Sequence, residues 1–257
     1  MSLLKQIIHL AAPLPEIEKY HRYLFIGPHP DDIEIGAGAS AAKLVSEGKQ
    51  LCFLICTDGR YGIEHLSSPM TPDELAAVRR KEALTSAEFL GVTDLRFGGL
   101  SDGAFYSTEE MFHMILQTIS DFQPDVVFCP DPSVTSECHS DHLNVGNMTK
   151  RAVCFAPNGE LMKAHGLKSA PVQALAFYMT AKANRFVRTD GFLQTQLHAV
   201  FLCHQTQFPI GTDAAKALSL YLRLRAYDFG LRSFCRTAEG FRVLGQTHMH
   251  CLPEAGD

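Results

Sequence analysis

Four short apolar runs, each ended by polar residues and followed by a helix-like stretch, restrict the folding of this chain more than any other feature. The runs are RYLFIG (22–27), QLCFLICT (50–57), DLRFG (94–98) and DVVFCP (125–130), and VQALAFYM (172–179) has the same character. Each is too short for a helix and reads as a buried strand. Between them, Ala37 to Glu47 is rich in alanine and stops at Gly48, as a helix does. Thr71, Pro72 and Glu74 supply an N-cap, a first-turn proline and a capping-box glutamate for a helix over 72–90 that ends at Gly91. Ser107 with Glu110 caps another, running to Phe122, and one more is expected after Asp141. Beyond about 190 the pattern gives a helix over 191–204, a helix over 213–233 and a strand GFRVLG (240–245). Such alternation predicts an α/β fold, a Rossmann-like three-layer sandwich with a mostly parallel sheet. With no linker or repeat in view, residues 1–257 are expected to form a single domain.

In sheets of this kind ligands bind at the carboxyl ends of the strands. All four exits here are polar: His29–Asp32, Asp58–Tyr61, Gly98–Asp102 and Asp131–His142.

Composition narrows the partners. At 46% hydrophobic and 20% charged residues the chain can bury a core. A net charge of -5 lacks the basic face that nucleic acid requires. No apolar run approaches the ~20 residues of a membrane span. The start of the chain lacks the features of a signal peptide, so a cytoplasmic protein is expected. Eight cysteines, among them Cys52, Cys56, Cys129, Cys154 and Cys203 in apolar runs, show no paired spacing and suit reduced, mostly buried thiols.

The stretch FIGPHPDDIEIGAGAS (25–40) carries two competing signals. Gly36 and Gly38 suggest a dinucleotide loop, but a fingerprint glycine belongs at the strand end, and Gly36 comes nine residues after Gly27 with acids between. Those acids would repel a pyrophosphate, so the glycines are read as close packing of helix on sheet. His29-Pro30-Asp31-Asp32 suggests a metal site: adjacent aspartates in extended chain point to opposite sides, one toward an ion and one toward substrate. A solvated turn in which Asp31 caps a helix accounts for the tetrapeptide equally well.

ECHSDHLNVG (137–146) tips the balance. His139 and His142 are three apart at a helix start, and Asp141 is placed to orient one imidazole. Nitrogen, oxygen and nitrogen from His29, Asp32 and His142 would leave an open coordination position, the pattern of catalytic zinc. A Cys138 thiolate would close that position, so Cys138 is set aside as a bystander.

With PHPDDIEIGAG followed over a hundred residues later by HSDH, the chain resembles the LmbE/PIG-L family of zinc-dependent carbohydrate N-deacetylases. The resemblance extends in order through TDG (57–59), RRKEALTSAEFLGV (79–92), LSDG (100–103), PDVVFCP (124–130) and AEGF (238–241), and within the family the pattern resembles bacterial enzymes acting on N-acetylglucosaminyl compounds, including bacillithiol-pathway deacetylases. Pro28 and Ile33-Glu34 stand where the family often has alanine and an acid directly after the aspartates. The resemblance implies one zinc per chain on His29, Asp32 and His142. It makes Asp31 the general base and His139 the group that steadies the tetrahedral oxyanion and protonates the amine. Arg79 and Asp102 match positions that contact the sugar or its aglycone, and homo-oligomers are common among relatives. The substrate implied is a small N-acetylated sugar conjugate, its aglycone met by loops such as 60–71 and 101–106. Asp141 is expected to hold the His139 ring and keep it charged. Two rival functions remain: an amidase or esterase using the same metal on another substrate, and a non-catalytic sugar- or nucleotide-binding protein.

Other residues have plainer readings. His21, His65, His113, His165, His198, His204, His248 and His250 lack a partner motif and read as surface or core histidines. Met111, Met114, Ile115 and Ile119 read as core filling, and Arg79 paired with Glu82 is the plain alternative for that arginine. Arg223, Arg225, Arg232 and Arg236 read as a solvated helix face.

Overall fold

The computed structural model describes residues 7, 8, 10–62 and 69–250. His65 and half of the 60–71 loop, residues 63–68, therefore lie outside the described residues. Seven strands form a sheet in the order β3-β2-β1-β4-β5-β7-β6. Strands β1 (Arg22–Gly27), β2 (Gln50–Thr57), β3 (Asp94–Leu100), β4 (Val126–Pro130) and β5 (Ala174–Tyr178) run parallel. β7 (Ala238–Gly245) pairs antiparallel with β5, and β6 (Arg185–Arg188) antiparallel with β7. The sheet is thus mostly parallel with an antiparallel edge, and helices cover both faces. Among the described residues no helix is long and apolar enough to cross a membrane.

The apolar runs are continuous because both faces of the central strands are buried. Along β1, Leu24 and Ile26 join a core with Cys52, Leu54, Phe112 and Ile115, under helices α3 (Thr108–Phe122) and α4 (Ser140–Phe155). Tyr23 and Phe25 point the other way, into a core with Phe53, Phe128 and Ala87, under helices α1 (Asp32–Ser46) and α2 (Pro72–Leu90). The Phe25 and Phe128 rings stack at 4.3 Å across the β1–β4 pair.

Capping residues set the helix limits largely as the sequence predicts. α2 opens with the full Thr71–Glu74 capping box and closes on Gly91 at φ 79°, a left-handed conformation that glycine adopts without strain. α1 differs: it begins at Asp32 instead of Ala37, and the chain kinks at Ala37 (φ -153°, ψ 17°). The kink frees backbone donors, and the buried Glu239 of β7 accepts from Ala39 N and Ser40 N at 3.2 and 2.7 Å. Glu239 re-caps the helix from two hundred residues away, so the alanine-rich half alone carried the sequence signal.

Two short elements were not foreseen, α5 (Gly159–Ala164) and the edge strand β6. Each is too short for a periodicity to register. The helix expected over 191–204 is α6 (Leu193–His198), which widens to a π-helix over Ala199–Cys203, and α7 (Asp213–Arg232) follows. Arg225 on α7 is not merely solvated: its guanidinium donates to Thr180 O at 2.9 Å and lies over the Phe229 ring. The seven described cysteines are all free, but Cys154 is exposed, not buried, because it faces outward from α4.

The strand order reverses between β1 and β4, which opens a crevice at their carboxyl ends. The His-Pro-Asp-Asp and His-Ser-Asp-His motifs meet there.

Candidate metal centre

Two imidazole nitrogens converge on one carboxylate. His29 Nδ1 lies 3.0 Å from Asp32 Oδ2, and His142 Nε2 lies 3.4 Å from Asp32 Oδ1. Bonds of about 2.0–2.2 Å to a tetrahedral zinc place ligand atoms roughly 3.3–3.6 Å apart, close to these separations. Burial pushes the Asp32 carboxyl up, but His142 and His29 outweigh it and hold it well below its ordinary range. The chemistry of this donor set suits a divalent cation.

A second cluster, His29, Asp102, His139 and Asp141, also brings ligand-type atoms together. Its carboxylates are already committed. Asp141 accepts from Gly103 N, Ala104 N and Tyr106 Oη at 2.9, 2.9 and 2.6 Å, and Asp102 accepts from Tyr61 N at 3.1 Å. Both carboxylates also face His29 Nε2, at 3.1 Å from Asp141 and 3.2 Å from Asp102. That contact orients the ring so that Nδ1 is turned to Asp32, the usual service of a carboxylate behind a ligating histidine.

Asp141 therefore orients an imidazole, but the imidazole is that of His29. Its nearest carboxylate oxygen is 3.9 Å from His139 Nδ1, which instead accepts from the Asp141 backbone N–H at 3.3 Å as the N-cap of α4. Burial and the charges of His29 and His142 hold the His139 imidazole below its ordinary range, against the pull of Asp141 and Asp102. The Asp141 carboxylate, expected to hold the His139 ring, holds that of His29 instead. With its Nδ1 accepting, the His139 ring carries its proton on Nε2.

Asp31 turns the opposite way from Asp32. It adopts φ 133°, outside the region favoured by residues with a side chain, and its carboxylate takes 2.9 Å from Arg79 Nη2. Arg79 is 3% exposed and also donates to Gly59 O and Pro30 O, both at 2.9 Å, with its Nε left unpartnered. Glu82, the plain partner considered for it, instead accepts from Thr206 N and Oγ1. Burial pushes the Asp31 carboxyl up to about 6, with Arg79 pulling it back. That suits a proton acceptor near neutral pH.

Six of these residues, His29, Asp31, Asp32, Arg79, Asp102 and His139, line one cavity of about 480 Å³ together with Tyr61, Gly103, Gln207 and Phe208, while His142 and Asp141 stand behind its wall. A larger apolar hollow beside α7 contains none of this chemistry. Of the eight candidate residues, His29, Asp32, Asp102, Asp141 and His142 contact one another through His29 and Asp32, Asp31 and Arg79 form a separate pair, and His139 stands edge-on to the His29 ring at 4.7 Å. Cys138 is exposed, its thiol near Ser136 O, and Tyr178 is core, its hydroxyl donating to Ile26 O. Missed from sequence were Tyr106, Glu137, whose carboxylate lies 3.1 Å from His142 Nδ1, and Gln207 and Phe208. Glu137 opens the ECHSDHLNVG stretch itself, and the other three lie outside the quoted motifs. His204 was read as partnerless, yet it forms a fully buried pair with Glu34 at 3.3 Å.

Comparison with known families decides the lineage: residues 24–153 match the family model described as GlcNAc-PI de-N-acetylase, PIG-L. The chain belongs to the PIG-L family. It is 35% identical over 248 residues, 95% of this chain and 89% of the relative, to the diacetylchitobiose deacetylase of Thermococcus kodakarensis. It is 29% identical over 206 residues to a 1D-myo-inositol 2-acetamido-2-deoxy-alpha-D-glucopyranoside deacetylase of Kineococcus radiotolerans, covering 69% of this chain and 56% of that one. Among solved PIG-L-like structures, the N,N'-diacetylchitobiose deacetylase of Pyrococcus horikoshii, in complex with an inhibitor, superposes with TM-score 0.84 at 29% identity, covering 98% and 97% of the two chains.

Proposed function

We propose that this protein is a metal-dependent N-deacetylase of N-acetylglucosaminyl compounds, with zinc held by His29, Asp32 and His142. The observation that carries the reading is the division between adjacent aspartates: Asp32 faces two imidazole nitrogens while Asp31 faces Arg79 across the same cavity. A binding protein has no use for a carboxylate poised near neutrality beside a ligand set.

When bound, the cation polarises the acetamide carbonyl and makes water more acidic. The residues of the chain supply the rest. Asp31 takes the proton from the attacking water, and Arg79 keeps that carboxylate in place and ionised. His139 donates a hydrogen bond from Nε2–H to the oxygen that gains charge, and the proton that Asp31 took from the water passes on to the departing nitrogen. Asp102 and Asp141 hold the His29 ring fixed, so the donor set is preorganised. Acetate and a primary amine result.

The test is acetate release from a panel of N-acetylglucosaminyl compounds, before and after chelation and with zinc returned. Release that stops on chelation and returns with zinc is expected. Release that persists in metal-free protein overturns the reading.

A further inference from the structure

Helix α1 is broken one turn after Asp32, and the break is filled by side chains from elsewhere in the fold. In an unbroken helix Ala39 N would donate to Ile35 O and Ser40 N to Gly36 O. Around the kink at Ala37 both donate instead to the Glu239 carboxylate of β7, at 3.2 and 2.7 Å. The carbonyl side is met by Gln196 of α6. Its Nε2 lies 2.9 Å from Glu34 O, 3.1 Å from Ile35 O and 2.8 Å from Glu239 Oε1. One of its two N–H groups serves the carboxylate and the other is shared by the two carbonyls. An amide and a carboxylate, bonded to each other, stand in for the missing turn.

Gln196 and Glu239 are 3% and 7% exposed, and neither lines the cavity of the metal centre. Buried polar groups are normally partnered, so hydrogen bonding alone gives the pair no role. Its place does. Beyond the kink, Ala41, Ala42 and Leu44 are buried against the sheet and fix the direction of the longer segment. Before it, the first turn carries Asp32, with Asp31 at its start. The Tyr178 ring closes on this turn at Gly36, where a Cβ would run into the ring, and a Cβ on Gly38 would come within 3.2 Å of Gln196 Cγ. The turn is gripped between the sheet and the pair.

We infer that Gln196 and Glu239 are positioning residues for the metal centre: they set the angle of the first turn of α1 and, through it, the placing of Asp32. The inference rests on Asp32 being a ligand, as in the deacetylase reading. Asp32 is five residues from Ala37, about 7.5 Å at 1.5 Å per residue. A swing of roughly 10° at the kink moves its carboxylate by about 1 Å, several times the ~0.2 Å within which metal–ligand distances hold. Small changes in the clamp are thereby magnified at the ligand.

The test measures zinc affinity by competition with a chelator of known affinity, at a temperature where every variant is folded. Gln196→Met keeps the side chain's length and removes its hydrogen bonds, and Glu239→Gln replaces one acceptor oxygen with a donor. Each is expected to weaken zinc binding by about 10- to 100-fold, the scale of losing an outer partner of a ligand. The double variant should lose little more than the worse single, because the two residues act as a unit. For acetate release, kcat should fall while KM stays near wild type. Val153→Ala, in the core on the opposite face of the sheet, is the control for lost stability alone. Variants at 196 and 239 that behave like this control, melting earlier yet holding zinc as tightly as wild type, overturn the inference. Where Glu239→Gln does not fold, Gln196→Met decides alone. Wild-type protein that binds zinc but releases no acetate defeats the deacetylase reading only, and the positioning role then stands or falls on zinc affinity.

Discussion

The Asp141 carboxylate lies 3.1 Å from His29 Nε2, while its backbone N–H donates to His139 Nδ1. One residue therefore fixes the tautomers of two histidines, one proposed as a ligand and one as a donor. Asp141→Asn is expected to weaken metal binding by about 10- to 100-fold, the usual effect of losing the carboxylate behind a ligating histidine. Competition with a chelator of known affinity reads it directly. Unchanged metal affinity would remove Asp141 from that role.

His139→Ala is expected to retain the metal and lose about two to three powers of ten in kcat, the scale of one oxyanion donor. Elemental analysis beside steady-state kinetics checks it. A metal-free variant would make His139 a ligand, and normal turnover would make its place beside His29 incidental.

Arg79 holds Asp31 from a position that is almost fully buried. Arg79→Ala leaves a buried carboxylate unpaired, at a cost of about 3–5 kcal/mol, so thermal melting should fall by many degrees. It should also lower kcat more than it raises KM, because Asp31 loses the charge that keeps it ionised. Arg79→Lys should recover part of both. A variant with normal kcat and a raised KM would make Arg79 a substrate contact alone.

The buried His204–Glu34 pair ties the π-helix to the start of α1. Burial pushes the His204 imidazole down from 6.5, but Glu34 outweighs it and leaves the ring raised. A raised histidine stabilises the fold fully below its unfolded pKa of about 6.5. That stability is lost as pH rises through the folded value. The melting-temperature gap between wild-type protein and His204→Gln should accordingly be widest near pH 6 and narrow toward pH 9. A gap independent of pH would show that the ring contributes packing and no charge.

The sequence by itself determined the parallel strands, the α2 capping box and the meeting of two histidine-aspartate motifs, because each rests on local signals. Apolar runs, cap residues and short motifs express their physics within a few neighbours. Only the tertiary structure decided which carboxylate serves which ring. Asp141 is two residues from His139 in the chain, yet its side chain is turned to His29 by Gly103 N, Ala104 N and Tyr106 Oη, donors brought in by β3 and its exit. Glu239 re-capping α1 and His204 pairing with Glu34 are of the same kind. A buried charge takes whatever partners the fold delivers, and sequence separation carries no trace of them.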